Sequence, residues 1–134
     1  MITNFEDITY NITEEEKKIA ILIAKSLEKN HVGKSNIINS RQIIIKLANA
    51  ANPTHRINMG DARLRKIINY IRQTGLCNCL IGTSRGYYVA NTREEMGDYI
   101  KSLSERINEI TKIQNAMILQ MDLIPYVSVA EELI

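Results

Sequence analysis

The side chains with the clearest potential for chemistry in this sequence are two thiols and two imidazoles. Cys77 and Cys79 are separated by one residue, whereas a zinc ion needs about four ligands. His31 and His55 stand at no spacing that is familiar for zinc ligation, so we predict no metal site. We expect the cysteines to lie on one face of a strand as buried, unpaired thiols beside Ile81.

The run Gly33-Lys34-Ser35 resembles the end of a phosphate-binding loop, but the loop also needs a glycine five residues earlier. Glu28 occupies that position and no strand precedes it, so we expect no nucleotide site and no cofactor. The histidines have no cysteine or serine partner in a nucleophile–base arrangement, and no paired carboxylates stand out. We therefore predict that the protein is not an enzyme.

The basic residues are the stronger signal, because they are segregated along the chain. Residues 31–93, here called the cationic block, hold ten Lys and Arg and a single acid, Asp61, for a net charge of +9. The two flanks carry seven bases and fourteen acids, so their net charge is −7 and the chain total is +2. Such segregation predicts a basic face directed at a polyanion. The alternative is that these residues coat solvated helix surfaces.

Length and composition indicate one ordinary globular domain. The chain has 134 residues and a mass of 15.3 kDa, with 45% hydrophobic and 24% charged residues. Two cysteines suit a reducing compartment, and no apolar run approaches the roughly 18 residues of a membrane span. The first residues lack the basic and apolar regions of a signal peptide. We expect a soluble, cytoplasmic protein with no membrane partner.

Three helices are predicted in the first half of the chain. A helix over 14–29 opens with a capping box, Thr13 with Glu16, and is followed by a helix over 41–50 with Ser40 as its cap. The third covers 61–74, with Gly75 after its end. The apolar positions at helical spacing predict the core faces: Ile19, Leu22, Ile23 and Leu27, then Ile44, Leu47 and Ala48, then Leu64, Ile67, Ile68 and Ile71.

A β-hairpin and a long helix are predicted in the second half. The β-prone runs 76–81 and 87–90 flank a short turn with glycine at both ends. An extended piece at 36–38 is a candidate to pair with this hairpin. Thr92 with Glu95 forms a second capping box, and the helix after it runs for about 25 residues until Pro125 closes it.

The order of three helices and a hairpin is that of a winged helix, a variant of the helix-turn-helix. The run DARLRKIINYIRQTG (61–75), followed by RGYYVA (85–90), resembles the recognition-helix-to-wing signature of winged-helix DNA-binding domains. It is similar to domains of the biotin-repressor type, here without a ligase domain, and to small phage or prophage proteins of low-GC bacteria. Residues 92–107 resemble the helix that trails the wing in such phage proteins. The fold class is therefore expected to be mainly α with a small β-hairpin (α+β), a winged helix-turn-helix followed by a long C-terminal helix.

The resemblance and the charge pattern together predict two sets of DNA contacts. The outward face and N-terminal half of the third helix, with the loop before it, supply the base contacts: Asn58, Asp61, Ala62, Arg65, Lys66 and Asn69. Contacts to the phosphate backbone come from the surrounding bases and from the tip of the wing: Lys34, Arg41, Arg56, Arg63, Arg72, Thr83, Ser84 and Arg85. The roles of two of these residues stay open. Asp61 could instead cap its helix, and Arg63 could face either the groove wall or the core edge.

The long helix carries an apolar seam whose steps alternate between four and three residues. We predict that it forms a homodimer through Ile100, Leu103, Ile107, Ile110, Met117 and Met121, with Gln114 as a polar position that helps to fix the register. Two recognition helices would then meet half-sites about 34–36 Å apart on DNA. The alternative is that the helix folds back and fills the core of its own domain.

The predicted domain organisation is an N-terminal arm (1–12), a winged-helix domain (13–91), the long helix (92–122) and a tail (123–134). The expected function is sequence-specific binding of double-stranded DNA by a phage or prophage transcriptional regulator or replication accessory factor. The alternative is a winged-helix module that binds only protein, through the C-terminal helix and tail. An RNA or single-strand binder is a third interpretation, although one Phe and no Trp leave few side chains for stacking.

Overall fold

A computed structural model describes residues 11–125, so most of the predicted arm (1–12) and tail (123–134) lies outside the described residues. The chain divides into two compact units, Met1–Met96 and Gly97–Ile134, and each is considered by itself. The longer elements are α1 (Glu14–Asn30), α2 (Ser40–Ala48), α3 (Asp61–Thr74), β1 (Leu80–Thr83), β2 (Gly86–Val89) and α4 (Arg93–Gln120). The described chain is thus mainly helical with one two-stranded antiparallel hairpin, which confirms the predicted α+β class.

Helix α1 begins at the predicted capping box. The backbone N–H of Glu16 donates to the Thr13 hydroxyl at 3.1 Å, and the Thr13 N–H donates back to the Glu16 carboxylate at 3.0 Å. The buried stripe is formed by isoleucine, leucine and alanine, namely Ile19, Ala20, Ile23, Ala24 and Leu27. The prediction for Leu22 is wrong, because this side chain lies off the stripe and is 58% exposed.

Helix α2 differs from the prediction in its cap and in the centre of its buried face. Asn39, rather than Ser40, caps the helix, accepting a hydrogen bond from the Gln42 N–H at 2.8 Å. Ile43 is the buried residue, and Ile44 and Leu47 are half-buried against the core beside it. The buried face of α2 is therefore centred on Ile43, with Ile44 and Leu47 at its edges.

Helix α3 has the bounds and the core face that the sequence predicts. Four side chains, Leu64, Ile67, Ile68 and Ile71, are at most 1% exposed and pack α3 against α1 and α2. Gly75 ends the helix with φ 72°, the left-handed conformation that glycine adopts without strain. The helix is capped by Gly60 and no side chain bonds its first turn. Asp61 is the first helical residue, so the alternative of Asp61 as a cap is wrong.

The hairpin is shorter than predicted and its turn is tighter. Thr83 pairs with Gly86, which leaves Ser84 and Arg85 as a two-residue turn. Residues 76–79 form turns before β1, and Cys79 has φ 62°. The prediction that both thiols lie on a strand is therefore wrong: Cys77 is buried in the turn and Cys79 is exposed.

A third extended piece joins the hairpin, as the sequence indicated. Ile38 and Tyr87 exchange two backbone hydrogen bonds of 2.9 and 2.7 Å in an antiparallel bridge. Gly86, at φ 135°, lies so close to this piece that a β-carbon there would overlap the Ile38 carbonyl. Glycine is required at this position both by its backbone angle and by the close approach of Ile38.

Helix α4 also begins at its predicted capping box. The Glu95 N–H donates to the Thr92 hydroxyl at 3.1 Å, and the Thr92 N–H donates to the Glu95 carboxylate at 3.2 Å. The same carboxylate accepts from the backbone N–H groups of Asn91 and Lys34, at 2.6 and 3.0 Å, so it joins the start of α4 to the loop after α1. The helix is 28 residues long, and none of its residues is buried.

Candidate nucleic-acid interface

The outward face of α3 carries most of the residues predicted to contact bases. Ala62, Arg65 and Asn69 are exposed on the side of the helix opposite Leu64, Ile67, Ile68 and Ile71. Asp61 is exposed at the first position of the helix, and Asn58 is exposed in the loop that leads into it. Arg65 and Asn69 are one turn apart, so both side chains project from the same strip of the helix surface.

Lys66 is placed differently from its neighbours. The sequence predicted that Lys66 points outward with Arg65, but its ammonium Nζ donates to the Glu16 carboxylate at 2.9 Å. Arg63 lies on the same side of α3, and its Nε donates to the other oxygen of Glu16 at 3.0 Å. Arg63 therefore faces the core edge, one of its two predicted positions. Both side chains are turned toward α1 and neither belongs to the outward strip.

Glu16 is the functional neighbour that the sequence reasoning missed. It is 2% exposed, yet it accepts hydrogen bonds from Thr13, Arg63 and Lys66. Burial of the carboxylate opposes its ionisation, and the hydrogen bonds from the Thr13 backbone, Lys66 and Arg63 outweigh that effect. As a result the pKa of Glu16 is lowered to about 2. The signal was present in the sequence, since Glu16 lies on the same helical stripe as Ile19 and Ile23, where a carboxylate needs partners.

Some of the residues predicted to contact phosphates have exposed side chains, and others have side chains that interact with the rest of the protein. Lys34 and Arg41 are exposed, on the short helix Lys34–Asn36 and on α2 respectively. Arg56 is exposed, but its Nε donates to the Ala50 carbonyl at 3.0 Å. Arg72 is half-buried, and one of its terminal nitrogens is 3.3 Å from the point that a β-carbon on Gly82 would occupy. Arg72 thus links α3 to β1.

The tip of the hairpin presents Ser84 and Arg85 to solvent. The Thr83 hydroxyl donates to the Gly86 carbonyl at 3.3 Å and accepts from the Arg85 N–H at 3.1 Å. Thr83 therefore organises the turn, and the groups left at the tip are the Ser84 hydroxyl and the Arg85 guanidinium.

The cationic block is less segregated in space than in sequence, because Glu16 from the acidic flank pairs with Arg63 and Lys66. Seven of the ten are exposed: Lys34, Arg41, Lys46, Arg56, Arg65, Arg85 and Arg93. Within residues 11–125, none of the seven has a carboxylate within ion-pair distance. Lys34 is nevertheless close to the Glu95 carboxylate, which accepts a hydrogen bond from its backbone N–H.

The second unit contains the predicted dimerisation seam, and its side chains are accessible. Leu103 is half-buried, and the other five are 53–65% exposed: Ile100, Ile107, Ile110, Met117 and Met121. Gln114 lies in the same seam and is exposed. The seam has the chemistry of a helix–helix contact surface.

Other kinds of site were sought over the part of the chain that the structure describes. No cluster of three His, Cys, Asp or Glu there could hold a metal ion. No helix between residues 11 and 125 is both long and apolar enough to cross a lipid bilayer. Comparison of the chain with protein families, with characterised proteins and with solved structures finds no match.

Proposed function

We propose that this chain is a sequence-specific, double-stranded DNA-binding protein of the winged-helix type. In this proposal α3 is the recognition helix, the β1–β2 hairpin is the wing, and the protein acts in the cytoplasm as a phage or prophage transcriptional regulator or replication accessory factor. The observation that carries the proposal is the outward face of α3. Arg65 and Asn69 project there one turn apart, on a helix whose other side is fully buried.

The chemistry of these two side chains suits the major groove. A guanidinium can donate two hydrogen bonds to guanine, and an amide can pair bidentately with adenine, each worth about 1–3 kcal/mol of discrimination. Asp61, Ala62 and Asn58 complete the proposed base-reading set at the N-terminal end of α3. We do not include Lys66 among the base contacts or Arg63 among the phosphate contacts, because both side chains form ion pairs with Glu16.

The exposed cations support a phosphate-binding role. Arg41 and Arg85 have no carboxylate within ion-pair distance among residues 11–125, and Ser84 and Arg85 form the tip of the proposed wing. Lys34 is exposed as well, although its backbone N–H donates to the Glu95 carboxylate. Arg72 lies beside Gly82 of β1, where α3 approaches the proposed wing. Cations without partners release counterions when they meet phosphates, so they add affinity without reading sequence.

The homodimer is part of the same proposal. The seam of α4 matches the four–three spacing of a coiled coil, with isoleucine at Ile100 and Ile107 alternating with Leu103 and Ile110. Apolar side chains at both seam positions suit the packing of one α4 helix against another. A dimer would present two copies of α3 to DNA and favour a palindromic site.

The second candidate is a module that binds protein but not DNA. The observation that favours it is the apolar seam of α4, on which Ile107 is 62% exposed and Ile110 64%. Such a surface fits a partner helix whether or not α3 contacts DNA. The two candidates differ in their response to duplex DNA.

The test is the salt dependence of binding to a labelled duplex of random sequence, measured by fluorescence anisotropy. About six phosphate contacts predict a log–log slope near −5. The single strand of the same sequence is the matched control and should bind more weakly. Absence of duplex binding at low salt would overturn the DNA proposal and favour the protein-binding module. Selection of bound fragments from sheared genomic DNA would then define the specific site.

A further inference from the structure

The apolar face of α4 changes in width along the helix. At about 100° per residue, Ile100, Leu103 and Ile107 fall within an arc of about 60°. Further along the helix the apolar arc extends from Ile113 at one edge to Ile118 at the other and is about 140° wide, again at about 100° per residue. We call residues 100–107 the narrow seam and residues 110–124 the broad segment.

The difference comes from the positions that flank the seam. In the narrow seam these positions are held by polar side chains, Ser104 and Arg106, both exposed. In the broad segment Ile113 and Ile118 hold two of the four equivalent positions and are 61% and 57% exposed. Thr111 and Gln120 hold the other two and are exposed, so the segment has one apolar side chain on each flank of the seam. The apolar surface also continues past the helix, where an open concavity is lined by Met117, Met121, Leu123 and Ile124 among others.

Seams of these two widths need different numbers of neighbours. A strip confined to the two core positions of the heptad is covered by one partner helix, with polar flanks left in water. When both flanking positions are apolar, one partner leaves them exposed, and a second neighbour is needed to bury them. That arrangement is found in helix bundles of four chains.

Copies of this same segment are the partners that the sequence fits best. A second copy repeats the four–three spacing along the whole seam, and the Gln114 amide can both donate to and accept from its own copy. The flanking positions of the broad segment carry no charge, so nothing in them selects a partner of opposite charge. An isologous contact between identical surfaces satisfies all of these features.

We propose that the broad segment is a tetramerisation element, in which two α4 pairs join through Ile113 and Ile118. The narrow seam holds each pair, and the broad segment joins the pairs. This inference rests on the proposed homodimer and adds the number of copies to it. In a DNA-binding protein it would provide four recognition helices, enough to engage two separate sites at once.

The test is the mass of the full chain in solution, measured by sedimentation equilibrium. With a chain mass of 15.3 kDa, we expect about 61 kDa for four copies and about 31 kDa for two. The variant Ile113→Lys/Ile118→Lys should fall to about half the wild-type mass, because it charges only the flanking positions. Circular dichroism would check that its helix content is retained, as expected for two exposed positions.

The matched control is Leu119→Lys, which lies outside the arc and is 78% exposed. This variant should keep the wild-type mass. A wild-type mass of two copies would overturn the tetramer and leave the proposed dimer intact, whereas a mass of one copy would contradict both. Retention of four copies by Ile113→Lys/Ile118→Lys would also overturn the inference. None of these readings depends on whether the protein binds DNA, so the DNA proposal is tested separately.

Discussion

The carboxylate of Glu16 and the ammonium of Lys66 lie 2.9 Å apart, although fifty positions separate them in the chain. This contact, with the parallel one from Arg63, connects the first turn of α1 to the side of α3. It gives two of the cations in the N-terminal half of α3, Arg63 and Lys66, a structural role. The proposed DNA-reading surface is therefore the strip of α3 that contains Arg65 and Asn69.

Replacing Glu16 by Gln should destabilise the protein at neutral pH but not in acid. The pKa of Glu16 is about 2 in the folded protein and returns to its ordinary value of 4.5 on unfolding. The lowered pKa contributes stability above pH 4.5 that is lost as the pH falls toward 2. The expected difference between wild type and E16Q is about 3 kcal/mol at neutral pH. Urea denaturation at several pH values measures it.

The control for this series is Glu14→Gln. Glu14 pairs with Lys17 and is 86% exposed, so its replacement should change the free energy of unfolding by less than about 0.5 kcal/mol. A difference between wild type and E16Q that stays constant down to pH 2 would show that the charge of Glu16 does not stabilise the fold.

Lys66→Ala and Arg65→Ala should separate stability from DNA binding, although the residues are adjacent. Lys66→Ala removes one donor from a buried carboxylate that keeps Arg63, so we expect a loss of about 1–2 kcal/mol in the free energy of unfolding. Arg65 is exposed and has no partner within residues 11–125, so its replacement should cost less than about 0.5 kcal/mol. Chemical denaturation of both variants measures this, and equal losses would contradict the assigned orientations.

The sequence was informative where local chemistry decides the structure. The capping boxes at Thr13 and Thr92 and the end of α3 at Gly75 are fixed by residues within four positions of each other, and all were predicted correctly. The core face of α3 was predicted in full, because its four large apolar residues fit one helical period.

The errors arose where distant parts of the chain decide the structure. Leu22 is exposed because the buried face of α1 is centred nearer Ala20 and Ala24, two small residues that the prediction did not include. Lys66 was assigned to the outward face because nothing near it in sequence reveals that Glu16 is buried beside it. The start of β1 was misplaced because the turn at Cys79 depends on a left-handed residue that is not glycine.

Gly86→Ala should destabilise the protein strongly, because a β-carbon would overlap the Ile38 carbonyl and the backbone has φ 135°. We expect a loss of more than about 2 kcal/mol and rupture of the Ile38–Tyr87 bridge. Gly97→Ala is the matched control, since it lies inside α4 with open space around it and should cause no loss. Denaturation midpoints give the comparison, and a neutral Gly86→Ala would contradict the pairing of Ile38 with the hairpin.

The two thiols should differ sharply in reactivity. Cys79 is exposed, whereas Cys77 is buried, and burial raises the pKa of Cys77 to about 11, so that little thiolate forms near neutral pH. A disulfide reagent should modify one thiol per chain in the native protein and the second only after unfolding. Cys79→Ser should abolish the rapid reaction and Cys77→Ser should keep it. The reverse result would contradict the position of the turn at 76–79.

The most direct test of the central proposal is the affinity of Arg65→Ala/Asn69→Ala for a duplex selected from genomic fragments, relative to wild type. Two lost base contacts predict at least about a tenfold loss of specific affinity with folding stability unchanged. Lys25→Ala, exposed on α1 outside the cationic block, should bind as wild type does. If Arg65→Ala/Asn69→Ala binds the selected duplex as tightly as wild type, α3 is not the helix that reads DNA.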